Sequence, residues 1–169
     1  MSDRLPDHIA AMALARSGAV FAGRLELAKM PRLAEVLLDS EGQVAVDLTL
    51  GTDADQVRYL TGRIQGELTL QCQRCLEPMA LAVDVDVRLG LVGGLDEAKR
   101  LPESYEPLVV EAGEVALAQV VEDELLLALP IVPMHVDVSE CRVIESEKGA
   151  IEEARKNPFA VLADFKRRS

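Results

Sequence analysis

Cys72 and Cys75, two cysteines three positions apart, are the residues of this chain whose type and spacing most clearly suggest chemistry. Such a pair can supply two thiolates to one metal ion, form a redox couple, or only occupy the tight end of a hairpin. His135 and Cys141 follow downstream and would complete a Cys3His set of the ligands that zinc prefers. The four residues Cys72, Cys75, His135 and Cys141 are therefore a candidate zinc site, and a packed turn without metal is the alternative.

The redox interpretation needs a helix directly after the cysteine pair, because a helix dipole lowers the thiol pKa. Here the pair is followed by apolar residues at every odd position from Leu81 to Leu91, which is the period of a strand. A thiol oxidoreductase is therefore disfavoured. His8 and His135 are the only imidazoles, and no Ser, His and acid set or phosphate-binding loop is readable. We expect a protein that is not an enzyme and has no small-molecule substrate.

Strand patterns flank the cysteine pair and extend upstream of it. Alternating apolar residues predict strands over 20–27, 44–50, 57–71 and 79–91, and two glycines in the third suggest bends or a bulge. The short connection of 72–78 suits an antiparallel pair, so the cysteines should lie at a hairpin end. The segment 30–38 is ambiguous between helix and loop, 93–107 reads as a crossing loop, and 108–111 as a short edge strand.

Helix signals occur near both termini and in the middle of the chain. A short helix is predicted over 7–16, and a largely buried one over 115–129, ending at Pro130. The consecutive acids Glu122, Asp123 and Glu124 should form the solvent-exposed stripe of the second helix. Residues 131–157 should be mostly irregular.

The last predicted helix begins at Asn157 as N-cap, with Pro158 at its first position. Phe159, Leu162 and Phe165 share one face, and a basic cluster, Lys166 to Arg168, lies at the negative helix end. This short helix could dock on the rest of the chain or on a partner.

Together these patterns predict an α+β fold: an antiparallel, strongly twisted sheet or partial barrel with a buried helix and short terminal helices. The 169 residues suit a single domain, 1–169. Within it, 1–40 would form a helix and a strand, 41–130 the sheet and main helix, and 131–169 an irregular segment with the basic-ended helix.

Charge is distributed unevenly along the chain. The net charge is -11, and residues 103–147 hold eleven acids and one base, whereas 148–169 hold three acids and six bases. Broad adhesion to nucleic acid or anionic lipid is thus disfavoured, and a partner of the acidic segment would be basic. The longest apolar run is too short to span a bilayer, the N-terminus is a poor signal peptide, and three cysteines make no disulfide framework. We expect a cytoplasmic protein without membrane association.

Four ordered sequence blocks resemble the bacterial YceD family, the large ribosomal RNA subunit accumulation proteins. The resemblance extends from about residue 40 onward, and its blocks are Cys72-Gln-Arg-Cys75-Leu76, Leu101-Pro-Glu-Ser-Tyr-Glu-Pro-Leu108, Val121-Glu-Asp-Glu-Leu-Leu-Leu-Ala-Leu-Pro130 with Pro133 and His135, and Asn157-Pro-Phe-Ala-Val-Leu162. It implies a cytoplasmic, non-enzymatic factor needed for synthesis, processing or stability of 23S ribosomal RNA. Many relatives look like metal binders, with a second cysteine pair where this chain has His135 and Cys141.

The resemblance also implies which residues matter, namely Cys72 with Cys75, the acids 122–124, and Asn157, Pro158 and Phe159. Direct contact with 23S ribosomal RNA would have to use the basic tail or arginines, of which the candidates are Arg58, Arg63, Arg74 and Arg88. The alternative within the same function is that the acidic segment binds a basic ribosomal or assembly protein. An acidic protein-interaction adaptor unrelated to ribosomes is the competing function.

Overall fold

A computed structural model describes residues 5–141 of the chain. Its helices and strands are, in chain order, β1 (His8–Ile9), α1 (Ala11–Ser17), β2 (Ala19–Glu26), α2 (Pro31–Val36), β3 (Gln43–Thr52), β4 (Arg58–Gln71), β5 (Pro78–Val92), α3 (Leu95–Ala98), β6 (Glu106–Val109), β7 (Val115–Ala116) and α4 (Leu117–Ala128). Single 3-10 turns lie at Leu27–Lys29, Glu111–Gly113 and Val138–Glu140. The predicted helix at Asn157 lies outside the described residues.

The main sheet has five strands in the order β2-β3-β4-β5-β6. The first four strands are antiparallel neighbours, whereas β6 runs parallel to β5, with Leu89 opposite Glu106 and Val92 opposite Val109. The α+β class is confirmed. The expected antiparallel pairing is found for β2 to β5 but not for β6, so the sheet is mixed, and it is open rather than closed. A parallel neighbour requires the chain to cross from one sheet end to the other, and the segment containing α3 does so.

The β4–β5 hairpin is the longest pairing of the sheet and positions the cysteine pair. It runs from Tyr59 opposite Gly90 to Gln71 opposite Pro78. The apolar side chains of β4, such as Leu60, Ile64 and Leu68, are fully buried on one face, as period two predicts. The hairpin therefore ends at residues 72–77, where the sequence predicted the turn.

Gly62 permits the close approach of β3 to β4. Its φ is +156°, and a Cβ at this position would overlap the backbone carbonyl oxygen of Asp47 on β3. Gly66 is also crowded, because a Cβ there would lie 2.7 Å from Cγ1 of Val44. The two glycines of β4 thus mark places where a side chain would not fit.

Helix α4 covers the buried face of the sheet. Leu117, Val121 and Leu125 are fully buried, and the helix packs against β5 and α2. It begins two residues later than predicted because Val115 and Ala116 form β7, which pairs with β1 in a small second sheet. No helix within residues 5–141 is long and apolar enough to cross a membrane.

Two segments differ from their predicted character. The ambiguous stretch 30–38 contains α2, which begins at Pro31, a residue favoured at the first position of a helix. The crossing segment 93–107 contains the single turn α3 rather than only loop, with Asp96 and Glu97 in its first turn.

Candidate metal centre

A tight turn between β4 and β5 brings the two cysteines of the hairpin end together. The backbone N–H of Cys72 donates to the carbonyl of Glu77 at 2.9 Å, and the N–H of Leu76 donates to the carbonyl of Cys72 at 2.8 Å. Leu76 adopts a φ of +63°, which lets the chain reverse directly after Cys75. Cys72 and Cys75 are both buried.

A second segment, residues 130–141, passes beside this turn and supplies two more ligand-type residues. The N–H of Gln73 donates to the carbonyl of Pro133 at 2.8 Å, which attaches the segment to the hairpin end. Further on, the Asp137 carboxylate accepts from the N–H of Ser139 at 2.8 Å and caps the 3-10 turn that leads to Cys141. Both His135 and Cys141 thereby face the hairpin cysteines.

The four candidate ligand atoms lie within 4.8 Å of one another. Sγ of Cys72 is 3.9 Å from Sγ of Cys141, and Nδ1 of His135 is 3.5 Å from Sγ of both Cys75 and Cys141. Tetrahedral zinc with bonds of about 2.3 Å to sulfur and about 2.0 Å to nitrogen requires sulfur–sulfur distances of about 3.8 Å and sulfur–nitrogen distances of about 3.5 Å. The residues present therefore fit a tetrahedral metal ion, and the four predicted ligands are brought together.

The imidazole of His135 is oriented for metal binding by its second nitrogen. Nε2 lies 3.2 Å from the carbonyl oxygen of Pro78, at the start of β5. Since a carbonyl can only accept, Nε2 carries the proton and donates, which leaves the lone pair of Nδ1 directed at the sulfurs. A carbonyl partner of this kind fixes the tautomer that a metal ligand requires.

The thiols of the cluster differ in acidity. Burial raises the pKa of Cys72, but hydrogen bonds from the backbone N–H groups of Cys75, His135 and Arg74 outweigh burial and lower this pKa to about 5. Burial and the neighbouring Cys75 and Cys72 raise the pKa of Cys141 to about 11. The thiolate form is thus more favoured at Cys72 than at Cys141, and a bound cation would favour loss of the proton from both thiols.

Arg74 lies at the edge of the cluster. Its guanidinium nitrogens are 3.9 Å from Sγ of Cys141 and 3.8 Å from Sδ of Met134. Three thiolates around a divalent ion carry a net charge of -1, which a neighbouring guanidinium offsets. Contact of Arg74 with a partner stays a prediction.

A strand follows the cysteine pair, as the sequence predicted, since β5 begins three residues after Cys75. The motif therefore lacks the helix N-terminus that activates a redox thiol. The buried positions of Cys72, Cys75 and Cys141 also restrict access for a disulfide substrate.

Glu122 is the main departure from the predicted site residues. The prediction that Glu122 lies on a solvent-exposed stripe is wrong, because the residue is only 4% exposed. Its Oε1 accepts from the backbone N–H of Arg32 at 2.7 Å and of Leu33 at 3.1 Å, and its Oε2 accepts from Nε and one terminal nitrogen of the Arg32 guanidinium at 2.9 and 2.8 Å. Glu122 of α4 thus caps the N-terminus of α2.

The capping interaction explains the acidity of Glu122. Burial alone would raise its pKa, but the N–H of Leu33 and the side chain and N–H of Arg32 outweigh burial and hold the pKa below its usual value. The sequence carried one signal for this contact: α2 has Pro31 at its first position and Met30 before it, which offers no capping side chain. The free N–H groups of this helix therefore require an acceptor from elsewhere.

The other two acids of α4 are more exposed. One carboxylate oxygen of Asp123 accepts from the Arg32 guanidinium at 2.6 Å, and the Asp123 side chain is 48% exposed. Burial and the carboxylates of Glu106 and Asp123 raise the pKa of Glu124. Asp123 lines a cleft of about 430 Å³ together with Glu111, Glu114 and apolar residues of β6, β7 and α4. The predicted partner residues Asn157, Pro158 and Phe159 lie outside the described residues.

The fold and the cluster define the class of this protein: an α+β protein whose longest hairpin carries a Cys3His cluster that could hold a metal ion. Over residues 60–166 the chain matches the profile of the family described as "Large ribosomal RNA subunit accumulation protein YceD". It is 39% identical over 146 residues to the large ribosomal RNA subunit accumulation protein YceD of Haemophilus influenzae, and the match covers 83% of each chain. The chain therefore belongs to the YceD family, as its motifs indicated. No solved structure matches it.

Proposed function

We propose that this protein is a cytoplasmic, non-enzymatic accessory factor of ribosome assembly that supports accumulation of 23S ribosomal RNA. The observation that carries the proposal is the 39% identity, over 83% of both chains, to a protein named for accumulation of the large ribosomal RNA subunit. Membership of the same family supports the same role.

The charges favour a basic protein partner over direct contact with RNA. Residues 103–141 contain nine acids and no lysine or arginine, so their field repels phosphate. Of the arginines considered for RNA contact, Arg63 is paired with Asp84, and Arg74 lies against the sulfurs of the cluster. The cleft beside Asp123 combines an apolar floor with acidic residues, which suits a lysine or arginine side chain of a partner. We therefore assign Asp123 to this contact, and Glu124 and Asn157 to Phe159 remain candidates beside it.

The metal centre has a structural role in this proposal. Cys72, Cys75, His135 and Cys141 would hold zinc, which suits three thiolates and an imidazole. Bound zinc would cross-link the β4–β5 hairpin end to residues 130–141. A closed set of four protein ligands keeps no position for substrate, in agreement with a binding role.

The decisive experiment compares the ratio of mature 23S to 16S ribosomal RNA in a strain that lacks the gene and in complemented strains. The deletion should lower the ratio, and the intact gene should restore it. An unchanged ratio after deletion would overturn the ribosomal assignment and favour an adaptor unrelated to ribosomes. Crosslinking of the tagged protein in the restored strain separates the two modes of action, since we expect basic proteins rather than ribosomal RNA to be recovered.

A further inference from the structure

Residues 127–138, the segment that contributes His135 to the cluster, carry several large apolar side chains that are exposed. Ile131 and Val136 are fully exposed, and Leu127 and Val138 are 75% and 60% exposed. With Val132 and Met134, these four residues form what we call the apolar strip. Exposed apolar residues grouped in this way mark interaction surfaces rather than ordinary protein surface.

The apolar strip is held in a defined position by the hairpin end. The N–H of Gln73 donates to the carbonyl of Pro133, in the middle of the strip. His135, also within this segment, lies 3.5 Å from Sγ of Cys75. A segment fixed at two points presents a preformed surface, so an occupant does not bear the entropic cost of ordering it.

The chain itself supplies a complementary segment. Two of its three phenylalanines, Phe159 and Phe165, lie with Leu162 at the helical spacing of one apolar face. A helix of this length is marginal alone in water and gains stability mainly by packing its apolar face. Packing such a face on the apolar strip would remove apolar surface of both segments from water.

The covalent connection and the charge of this segment favour it, rather than a separate molecule, as the occupant of the apolar strip. The chain passes directly from Cys141, a member of the cluster, into the fifteen residues 142–156, which can reach at most about 50 Å. A tether that can span two sites gives an effective concentration on the order of mM. The six bases and three acids of 148–169 complement the nine acids of 103–141.

We propose that the segment Asn157 to Phe165 packs its apolar face on the apolar strip of the same molecule. The strip is thus an intramolecular docking surface, positioned by the hairpin end and occupied by the C-terminal segment. This inference does not depend on the ribosomal role.

Hydrogen exchange of the full-length, zinc-loaded protein, followed by mass spectrometry, tests the proposal. In Leu162→Asp, amides of 131–138 should exchange about tenfold faster than in the natural protein, which corresponds to about 1.4 kcal/mol of lost docking energy. Ala160→Asp adds the same charge on the opposite face of the predicted helix and should leave exchange of 131–138 unchanged. Unchanged exchange in the β4–β5 hairpin verifies that both variants fold.

A substitution in the apolar strip should likewise affect exchange in the C-terminal segment. Ile131→Asp should speed exchange in 157–165, whereas Leu95→Asp, at an exposed residue outside the strip, should not. Equal exchange in Leu162→Asp and the natural protein would overturn the proposal. Protection of 131–138 that rises with protein concentration would also overturn it, because the occupant would then be a second copy. Protection that is gained only with ribosomal particles would assign the strip to a partner and overturn it as well.

Discussion

Replacement of Glu122 tests the unexpected contact between α4 and α2. Glu122→Ala removes the acceptor of two helix-terminal N–H groups and of the Arg32 guanidinium, all of which lie at 2.7–3.1 Å. Glu122→Gln keeps the shape but loses the charge. Asp123→Asn is the matched control, because Asp123 contacts the same guanidinium from a half-exposed position.

The expected loss follows from burial and bonding. The two unsatisfied N–H groups of Arg32 and Leu33 cost about 1–2 kcal/mol, as loss of a helix cap does. The one buried methylene that Glu122→Ala removes adds about 0.8 kcal/mol. The Arg32 side chain is 50% exposed, so loss of its ion pair adds less than about 1 kcal/mol. We expect about 3 kcal/mol for Glu122→Ala, about 1–2 kcal/mol for Glu122→Gln, and less than about 0.5 kcal/mol for Asp123→Asn.

Urea unfolding of the zinc-loaded protein at pH 7, followed by circular dichroism, measures these differences in the free energy of unfolding. In thermal unfolding, Glu122→Ala should lower Tm by about 6–12 °C. If the free energies of unfolding of Glu122→Ala and Asp123→Asn differ by less than about 0.5 kcal/mol, Glu122 does not cap α2.

Acidity gives an independent check on the same contact. Because the folded protein holds the pKa of Glu122 below its unfolded value of about 4.3, the ionised carboxylate contributes stability above that pH. This contribution is lost as the pH falls through the folded pKa. The stability difference between the natural protein and Glu122→Gln should therefore be full at pH 7 and shrink below about pH 4. A difference that stays constant down to pH 3 would contradict the assignment.

Further predictions concern the metal centre and β4. Cys141→Ser should weaken zinc binding by more than about 100-fold in competition with a chromophoric chelator, whereas Ser139→Ala should leave the affinity unchanged. Removal of zinc should speed proteolysis within 130–141 while the circular dichroism of the sheet persists, and simultaneous loss of both would contradict a local structural role. Gly62→Ala should destabilise the fold by more than about 2 kcal/mol, because its Cβ meets the Asp47 carbonyl. Gly94→Ala should be neutral within about 0.5 kcal/mol in the same urea titration, because no atom lies within 4 Å of its Cβ and its φ is extended.

The strands could be predicted because the alternation of apolar and polar residues is a property of each strand's own sequence. Apolar residues at alternate positions of β3, β4 and β5 face one buried layer, and the predicted bounds of these strands agree with the structure to within two residues. The candidate ligand set was equally readable, since Cys72 and Cys75 share a turn and His135 and Cys141 complete the ligand types of zinc. The distances between the four ligand atoms could not be predicted, because they depend on how residues 130–141 pass the hairpin end.

The burial of Glu122 and the direction of β6 could not be predicted from the sequence. Three consecutive acids on a helix point about 100° apart, and the position of α2 decides which of them faces the protein. The direction of β6 depends on the path of a crossing segment with few apolar residues, and its alternation is the same for parallel and antiparallel pairing. Both features are set by packing between elements that are distant in the sequence.

X-ray absorption at the zinc edge of the purified full-length protein, with zinc content measured on the same sample, tests the metal centre most directly. We predict one zinc per chain with three sulfur neighbours at about 2.3 Å and one nitrogen neighbour at about 2.0 Å. A chain without stoichiometric zinc, or zinc bound mainly by oxygen, would contradict a centre formed by Cys72, Cys75, His135 and Cys141.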